Sequence, residues 1–323
     1  MLLGGLVAAG AAAGVTYRQL AQRAAGIGLP DPEGDESGLG WGVGATRPEH
    51  RVVVTGDGAE LAVWDLEAGD AEAPVVVLPH CWGCSHEIWL PVARRLREQG
   101  HRVVLYDQRG HGLSSRGTAP LEVETLAHDL SDVLEATDVR DAVLAGHSMG
   151  GMTIMSLATY RPEVLKERAK ATVLVATAAT AAGGDRTMRG ARVAGAFIGS
   201  PFVTRSMRTR NGHVLVRGVF GVDPVRSHMD LTRQLFADCH GQVRGGFLVS
   251  MATMDLLEGI STIDVPTTVL VGSRDTLTIP AKADEMVSTI PGARLITLKD
   301  RGHMLPLEDP DTVTDEIVRA VKG

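Results

Sequence analysis

The sequence predicts an α/β protein with a mostly parallel eight-stranded sheet, flanking helices and a helical segment inserted after the sixth strand. Short apolar runs alternate with segments of helical periodicity, which is typical of a parallel sheet covered by helices. The runs are apolar throughout, as expected of strands buried on both faces. One long interval without a strand breaks this alternation and predicts the insert.

Eight segments predict the strands. Residues 51–66, RVVVTGDGAELAVWDL, hold two strands around a Gly-Asp-Gly turn and predict a hairpin. Six apolar runs follow. These runs are Val75–Leu78, Arg102–Tyr106, Ala142–Ala145, Ala171–Ala176, Thr267–Val271 and Arg294–Thr297. The predicted helices are Glu87–Gln99, Glu124–Ala136, Met149–Tyr160, Ala281–Ile290 and Pro310–Val321.

The interval after the sixth strand is about ninety residues long, from ATVLVATAA to TTVLVGSRD. An interval of this length should fold as helices of its own near the strand ends. We predict a helical cap at residues 181–255, between two parts of the α/β core at residues 49–180 and 256–323. Residues 181–247 contain ten arginines, no lysine and four aspartates. A solvated basic face, an anionic lipid surface or an acidic leaving group would each suit these arginines.

The composition excludes several classes of protein. The 323 residues are 44% hydrophobic, which suffices for a buried core and argues against disorder. The net charge of −7 argues against a nucleic-acid binder. Three cysteines are too few for a disulfide framework, and the C-x-x-C pair Cys81 and Cys84 lacks the second ligand pair of a zinc site. A redox dithiol would need an activated cysteine at a helix start, so a loop that contains two thiols is the interpretation we favour.

The N-terminal region differs from the rest of the chain. Residues 1–30, apolar at their start, predict an anchor-like or signal-like N-terminal segment, and residues 31–48, rich in Gly, Pro and acidic residues, predict a linker. The apolar run Leu2–Val15 is shorter than the ~20 residues of a membrane span and lacks the positive start of a signal peptide. The arginines that follow it would keep the domain in the cytoplasm. Membrane association through residues 1–20 on the cytoplasmic side, a cytoplasmic protein with a packed helix, and secretion stay open.

The segment AVLAGHSMGG, residues 142–151, carries the strongest chemical signal. A strand leads into GHSMG and an apolar helix follows, which is the context of a G-x-S-x-G nucleophile elbow. A serine nucleophile needs a base to remove its proton and an acid to orient that base. On this scaffold the order is serine, acid, histidine. Asp275 and His303 follow predicted strands in that order, so we predict Ser148, Asp275 and His303 as a catalytic triad.

These residues, together with Pro79-His80 and YDQRGHGLSS, resemble the α/β-hydrolase superfamily, and in particular its serine esterases and lipases with an inserted cap. The resemblance covers about residues 49–322. It implies structural roles for Asp107 and Arg109, and a reaction without a metal or organic cofactor.

The resemblance also implies the position of the oxyanion hole. LPHCWGCSHEIW stands where the family has a His-Gly-x loop, whose backbone donates one hydrogen bond to the oxyanion. Carried over residue by residue, the two donors are the N–H groups of Trp82 and Met149. Cys81 replaces the family's glycine, and its Cβ would restrict the backbone if φ were positive.

We therefore predict hydrolysis of carboxylic esters, of the carboxylesterase or lipase kind, through an acyl-enzyme on Ser148. The expected substrate is a small-molecule ester with an apolar acyl part. The same triad would serve a cofactor-free haloperoxidase or perhydrolase, a thioesterase or a lactonase. A non-enzymatic ligand-binding protein of this fold is the remaining hypothesis.

Overall fold

The computed structural model describes residues 39–41, 46–70, 72–181 and 188–323. Eight strands form one sheet. They are β1 (Arg51–Val54), β2 (Glu60–Leu66), β3 (Val75–Pro79), β4 (Arg102–Tyr106), β5 (Ala142–His147), β6 (Ala169–Val175), β7 (Thr267–Gly272) and β8 (Arg294–Leu298). Their order in the sheet is β1-β2-β4-β3-β5-β6-β7-β8.

The helices of the described residues fall into two groups. The first group belongs to the sheet layers and comprises α1 (Leu90–Glu98), α2 (Val123–Ala136), α3 (Met149–Tyr160) and α4 (Pro162–Arg168) before the insert, and α10 (Leu257–Ile260), α11 (Pro280–Thr289), α12 (Leu305–Glu308) and α13 (Pro310–Lys322) after it. The second group forms the insert between β6 and β7 and comprises α5 (Met188–Ile198), α6 (Pro201–Met207), α7 (Arg210–Arg217), α8 (Arg226–Asp238) and α9 (Gly241–Met251).

The strand pairing confirms the predicted fold class. Strands β3 to β8 pair in parallel, and only β2 runs antiparallel to its neighbours β1 and β4. The predicted strands agree with the structure to within two residues. The helix predicted from Glu87 instead begins as a 3₁₀ turn at His86–Trp89, and the α-helix starts at Leu90. Pro91 lies in the first turn of α1, where its missing N–H costs no intrahelical hydrogen bond.

Side chains of successive strand residues alternate between two hydrophobic clusters, one on each face of the sheet. In β3, Val77 packs with α2 and α3, whereas Val76 and Leu78 pack with α1 and α13. Because β3 to β8 pair in parallel, the carboxyl ends of these strands lie at the same edge of the sheet. This edge carries the loops after β3, β5, β7 and β8. Every predicted site residue lies in these loops except Met149, which is the first residue of α3.

Two predictions concern residues that this description does not reach. The apolar segment 1–30 and most of the linker 31–48 lie outside the described residues, so membrane association through residues 1–20 stays a prediction. Within the described part of the chain, no helix is long and apolar enough to cross a bilayer. The division into a core at 49–180 and 256–323 and a cap at 181–255 also stays a prediction, although helices α5 to α9 occupy that interval.

Candidate active site

Ser148 lies in the turn between β5 and α3 with a strained backbone, φ +53° and ψ −113°. Left-handed backbone is unfavourable for a residue with a side chain and persists only where the surroundings hold it. Here the Ser148 N–H donates to the carbonyl of Val175 at 2.9 Å. Its carbonyl accepts from the Thr177 hydroxyl at 2.7 Å. These bonds to the end of β6 fix the turn that presents the serine hydroxyl at the sheet edge.

The glycines on either side of Ser148 permit this turn. A Cβ on Gly150 would overlap the carbonyl oxygen of Pro79, and a Cβ on Gly146 would overlap the carbonyl oxygen of Gly150. Both obstacles are backbone atoms and cannot move aside. The spacing of the G-x-S-x-G segment is therefore a packing requirement for β3, the turn and α3.

Asp275 and His303 meet although 28 residues separate them in the chain. The Nδ1 atom of His303 lies 2.8 Å from Oδ2 of Asp275. The other oxygen of Asp275 accepts the backbone N–H groups of Leu277 and Thr278 at 2.8 and 2.9 Å. Burial opposes ionisation of Asp275, but the charge of His303 and hydrogen bonds from His303 and Thr278 outweigh it and lower the pKa of Asp275. A carboxylate that holds Nδ1–H leaves Nε2 of the ring as the basic atom.

His147 packs beside His303, with ring centroids 5.1 Å apart. Its Nε2 donates to the carbonyl oxygen of His303 at 2.7 Å. Burial, together with repulsion from His303, lowers the pKa of His147 to about 3. His147 is therefore neutral near pH 7 and adds no positive charge beside His303.

Ser148 and His303 line the same pocket, a cavity of about 200 Å³ under the helical insert. Among the described residues that line it, none is Asp, Glu, Lys or Arg. The insert supplies one wall and the sheet edge the other. The insert residues are Ile198, Met207, Leu215, Val216, Val219, Thr232, Phe236, Leu248, Met251, Ala252 and Met254. A larger cleft of about 870 Å³, lined in part by Arg116, Glu122 and Arg192, contains neither Ser148 nor His303. We therefore place the site in the smaller pocket, where the reactive groups are.

The predicted oxyanion donors flank this pocket. Met149 is the first residue of α3, so its N–H has no acceptor within the helix. Trp82 lines the pocket wall on the loop after β3. In that loop the positive φ falls on Gly83, at +71°, and Cys81 is not among the residues with positive φ. The substitution of the family glycine by Cys81 thus causes no left-handed strain.

The insert holds this loop through a stack of three side chains. The Trp82 indole N–H donates to the carbonyl of Arg244 in α9 at 3.1 Å. The Trp82 ring meets the Phe236 ring edge-on at 5.2 Å, and the Arg244 guanidinium lies 4.8 Å from the Phe236 centroid. Arg244 is fully buried, and its guanidinium donates to the Phe236 carbonyl and the Thr204 hydroxyl. A Cβ on Gly83 would lie 2.5 Å from Phe236, so this loop and the insert fit closely.

A carboxylate in the last loop braces the histidine. Glu308 accepts the N–H groups of Gly302 at 2.9 Å and Met304 at 2.9 Å, the two neighbours of His303. It also accepts the N–H of Gly221 from the insert at 2.7 Å. Sequence reasoning missed both Glu308 and Arg244. An acid five residues after the predicted base was a usable signal for Glu308, whereas Arg244 stood among ten similar arginines.

Asp107 and Arg109 brace loops outside the pocket, as the resemblance implied. Asp107 accepts the backbone N–H of His86 at 2.8 Å and that of Leu113 at 2.8 Å. Arg109 bridges Asp129 and Asp57.

The three cysteines are buried free thiols, and the described residues contain no cluster able to hold a metal ion. Hydrogen bonding with Cys81 and burial raise the pKa of Cys84, and burial raises the pKa of Cys239 to about 12. Thiols with raised pKa values are poor nucleophiles. The loop interpretation of the C-x-x-C pair therefore fits the structure.

A parallel sheet with a strained serine and an Asp–His pair at its carboxyl edge defines a hydrolase scaffold, and comparison with known proteins agrees. A family model described as the alpha/beta hydrolase family matches residues 75–316, and the chain belongs to this family. It is 26% identical over 243 residues to 3-oxoadipate enol-lactonase 1 of Acinetobacter baylyi, covering 75% of this chain and 86% of the relative.

Two further comparisons find similar proteins with other described activities. The non-heme chloroperoxidase CPO-A1 of Kitasatospora aureofaciens is 35% identical over 100 residues, 31% of this chain and 35% of the relative. An esterase structure from Exiguobacterium antarcticum superposes with a TM-score of 0.70 at 21% identity, covering 84% of this chain and 99% of the esterase, which shows the shared fold. Hydrolase is the activity class that these relatives support.

Proposed function

We propose that the protein is a serine hydrolase that cleaves carboxylic esters with an uncharged, apolar acyl part through an acyl-enzyme on Ser148. The observation that carries the proposal is the joint position of Ser148 and His303 on one apolar pocket, with His303 bonded to Asp275 at 2.8 Å. Serine alone is a poor nucleophile, and this arrangement supplies the base and its orienting acid.

In the first step, Nε2 of His303 accepts the Ser148 proton as the serine oxygen attacks the ester carbonyl. The N–H groups of Trp82 and Met149 donate to the resulting oxyanion. These hydrogen bonds become stronger as the negative charge on the oxygen develops. His303 then donates its proton to the leaving alkoxide. Asp275 remains ionised throughout and stabilises the imidazolium.

In the second step, His303 takes a proton from water, which attacks the acyl carbon. Collapse of the second tetrahedral intermediate releases the acid and returns the proton to Ser148. Neutral His147 favours both steps because it adds no charge beside the imidazolium.

The pocket supports the choice of acyl group. A lining without Asp, Glu, Lys or Arg among the described residues cannot pair a charged substituent, and burial of an unpaired charge is costly. Methionines at positions 152, 207, 251, 254 and 304 line it. Flexible thioether side chains adapt to acyl groups of different shape.

The test is hydrolysis of p-nitrophenyl esters from acetate to palmitate by the wild-type protein and by Ser148→Ala. We expect Ser148→Ala to abolish turnover beyond ~10³-fold, with unchanged circular dichroism. Ser288→Ala, an exposed serine on α11, is the matched control and should retain full activity. Turnover by Ser148→Ala at the wild-type rate would refute the assignment.

The relatives favour two variants of this chemistry. The enol-lactonase similarity covers most of the chain and favours a cyclic ester as substrate. The chloroperoxidase similarity favours attack on the acyl-enzyme by peroxide instead of water. Assays with aliphatic lactones, and with peroxide, acetate and bromide, separate these variants from simple ester hydrolysis. Each activity that belongs to this site must be lost in Ser148→Ala.

A further inference from the structure

The outer face of the first two insert helices exposes large apolar side chains. Phe197 and Phe202 are 43% and 67% exposed, and Val193 is 67% exposed. The two phenylalanine rings lie 6.3 Å apart. The whole chain contains five phenylalanines, so two adjacent exposed ones are unusual. Exposed apolar clusters of this kind mark interaction surfaces.

These side chains form one continuous stripe. Arg189, Val193 and Phe197 are spaced by four residues on α5 and share one helix face. Phe202 is the second residue of α6, and Arg205 lies one turn later on the same helix and is also exposed. We call these five residues the outer stripe. It consists of three apolar side chains with a cation at each end.

The sequence segment that contains the outer stripe is basic. Residues 188–222 contain six arginines and no aspartate or glutamate. Arg192 is exposed on α5 next to the stripe. Arg208 is exposed at the end of α6 and pairs with Asp238 at 3.0 Å. The rest of the chain carries the negative charge that makes the net value −7, so this segment differs in charge from the rest of the chain.

We propose that the outer stripe docks the protein on an anionic lipid bilayer. Aromatic and aliphatic side chains enter the boundary between headgroups and acyl chains, while arginines pair with anionic headgroups. Neither attraction alone gives stable attachment, and the stripe combines them. A two-fold contact with a second copy would instead bring two basic faces together.

The inner faces of the same helices connect this surface with the pocket. Ile198 of α5 and Met207 of α6 are buried and line the cavity that contains Ser148. One helix diameter, about 10 Å, therefore separates the bilayer surface from the pocket. If the proposed ester hydrolysis holds, docking places the site beside membrane-dissolved esters. The docking itself does not depend on that activity.

The test uses the full chain and co-sedimentation with phosphatidylcholine vesicles, with and without one third phosphatidylglycerol. We expect binding to the anionic vesicles that weakens at high salt. The double variant Phe197→Ser/Phe202→Ser should bind about tenfold less. The matched control is Val52→Ser/Val54→Ser on β1, where the two valines are 53% and 65% exposed. It should bind like the wild type.

Residues 1–20 are identical in all variants, so attachment through that segment would leave the phenylalanine variant bound, and this result would overturn the proposal. Equal binding of the wild type to neutral and anionic vesicles would overturn it as well. Loss of a dimer in sedimentation velocity, without any vesicle binding, would assign the stripe to a second copy instead. Loss of binding to a nucleic acid in place of vesicles would assign it to that partner. Circular dichroism and hydrolysis of a soluble ester verify that each variant is folded.

Discussion

The sheet core and the helical insert contribute to the site in different ways. The core supplies Ser148, Asp275 and His303, each on a loop at the carboxyl edge of the sheet. The insert supplies most of the pocket wall. It also bonds to the loops of the core: the Val219 carbonyl accepts the His303 N–H at 2.8 Å, and the Gly218 carbonyl accepts the Thr276 hydroxyl at 3.0 Å.

The insert therefore lines the pocket and also holds loops of the core in place. Its contacts reach the loop that contains Trp82, the loop that contains Asp275 and the loop that contains His303. Changes in the core should therefore abolish turnover. Changes at the contacts between the insert and the core loops, which we call the seam, should slow the chemical step without preventing substrate binding. Changes in the wall alone should alter only the choice of substrate. Asp275→Asn, Arg244→Met and Met207→Trp test this division in order of decreasing effect, and the pH dependence of stability tests the packing of the core.

The largest effect is expected for Asp275→Asn in the core. Asparagine cannot hold the Nδ1–H tautomer of His303 or balance its charge, so kcat/KM should fall ~10³–10⁴-fold. Hydrolysis of p-nitrophenyl butyrate measures this. Asp284→Asn on α11, an exposed aspartate, is the control and should be unchanged. A loss below tenfold in Asp275→Asn would show that another group orients His303.

The next effect is expected at the seam, for Arg244→Met. Methionine fills similar space but loses the stack on Phe236 and the donors to the insert, so the Trp82 loop should loosen. We expect kcat to fall about tenfold, less than the ~10²–10³ for loss of a whole oxyanion donor, with KM nearly unchanged.

Arg244→Lys keeps a cation over Phe236 and should recover part of kcat. A trifluoromethyl ketone, which forms an oxyanion with Ser148, should lose affinity in parallel with kcat, because it mimics the transition state. An unchanged kcat, or equal loss of affinity for a ground-state amide, would show that Arg244 serves stability alone.

These two predictions mark where sequence reasoning succeeds and where it ends. The positions of Ser148, Asp275 and His303 at one edge of the sheet were predictable, because G-x-S-x-G needs a local strand–turn–helix context and because parallel strands bring Asp275 and His303 to one edge. The strands were predictable from their apolar runs. Arg244 was not predictable, because its role depends on how α8 and α9 pack on the loop after β3. Such contacts join residues about 160 positions apart, and no local pattern encodes them.

The third prediction concerns acid stability of the core. Burial lowers the pKa of His80 to about 3 and that of His111 to about 4, as it does for His147. His80 accepts the Gln108 N–H and His111 accepts the Gly83 N–H through Nε2, so protonation would break these bonds. The unfolded chain binds these protons near pH 6.5 and the folded chain does not.

The contribution of these neutral histidines to the free energy of unfolding is therefore complete above pH 6.5 and is lost as the pH falls toward 4. Each histidine contributes up to about 1.4 kcal/mol per pH unit in this window. Urea unfolding between pH 7.5 and 4.5 measures the slope. His147→Gln removes one such proton and should reduce the slope by about one proton, whereas His128→Gln, with an exposed histidine on α2, should not. An equal slope in both variants would mean that His147 is protonated in the folded protein.

The smallest effect is expected in the insert wall, for Met207→Trp. Met207 is buried against the cavity of about 200 Å³, and the larger indole should shorten the space for an acyl chain. Turnover of long-chain p-nitrophenyl esters should fall about fivefold while that of the acetate stays constant, since the loss of one methylene contact in an apolar pocket costs ~1 kcal/mol or more. Met188→Trp places the same side chain at a position that is 46% exposed and should change neither. An equal decrease for acetate and long esters would mean that Met207 supports the seam rather than the wall, and the division between the two parts of the insert would have to be redrawn.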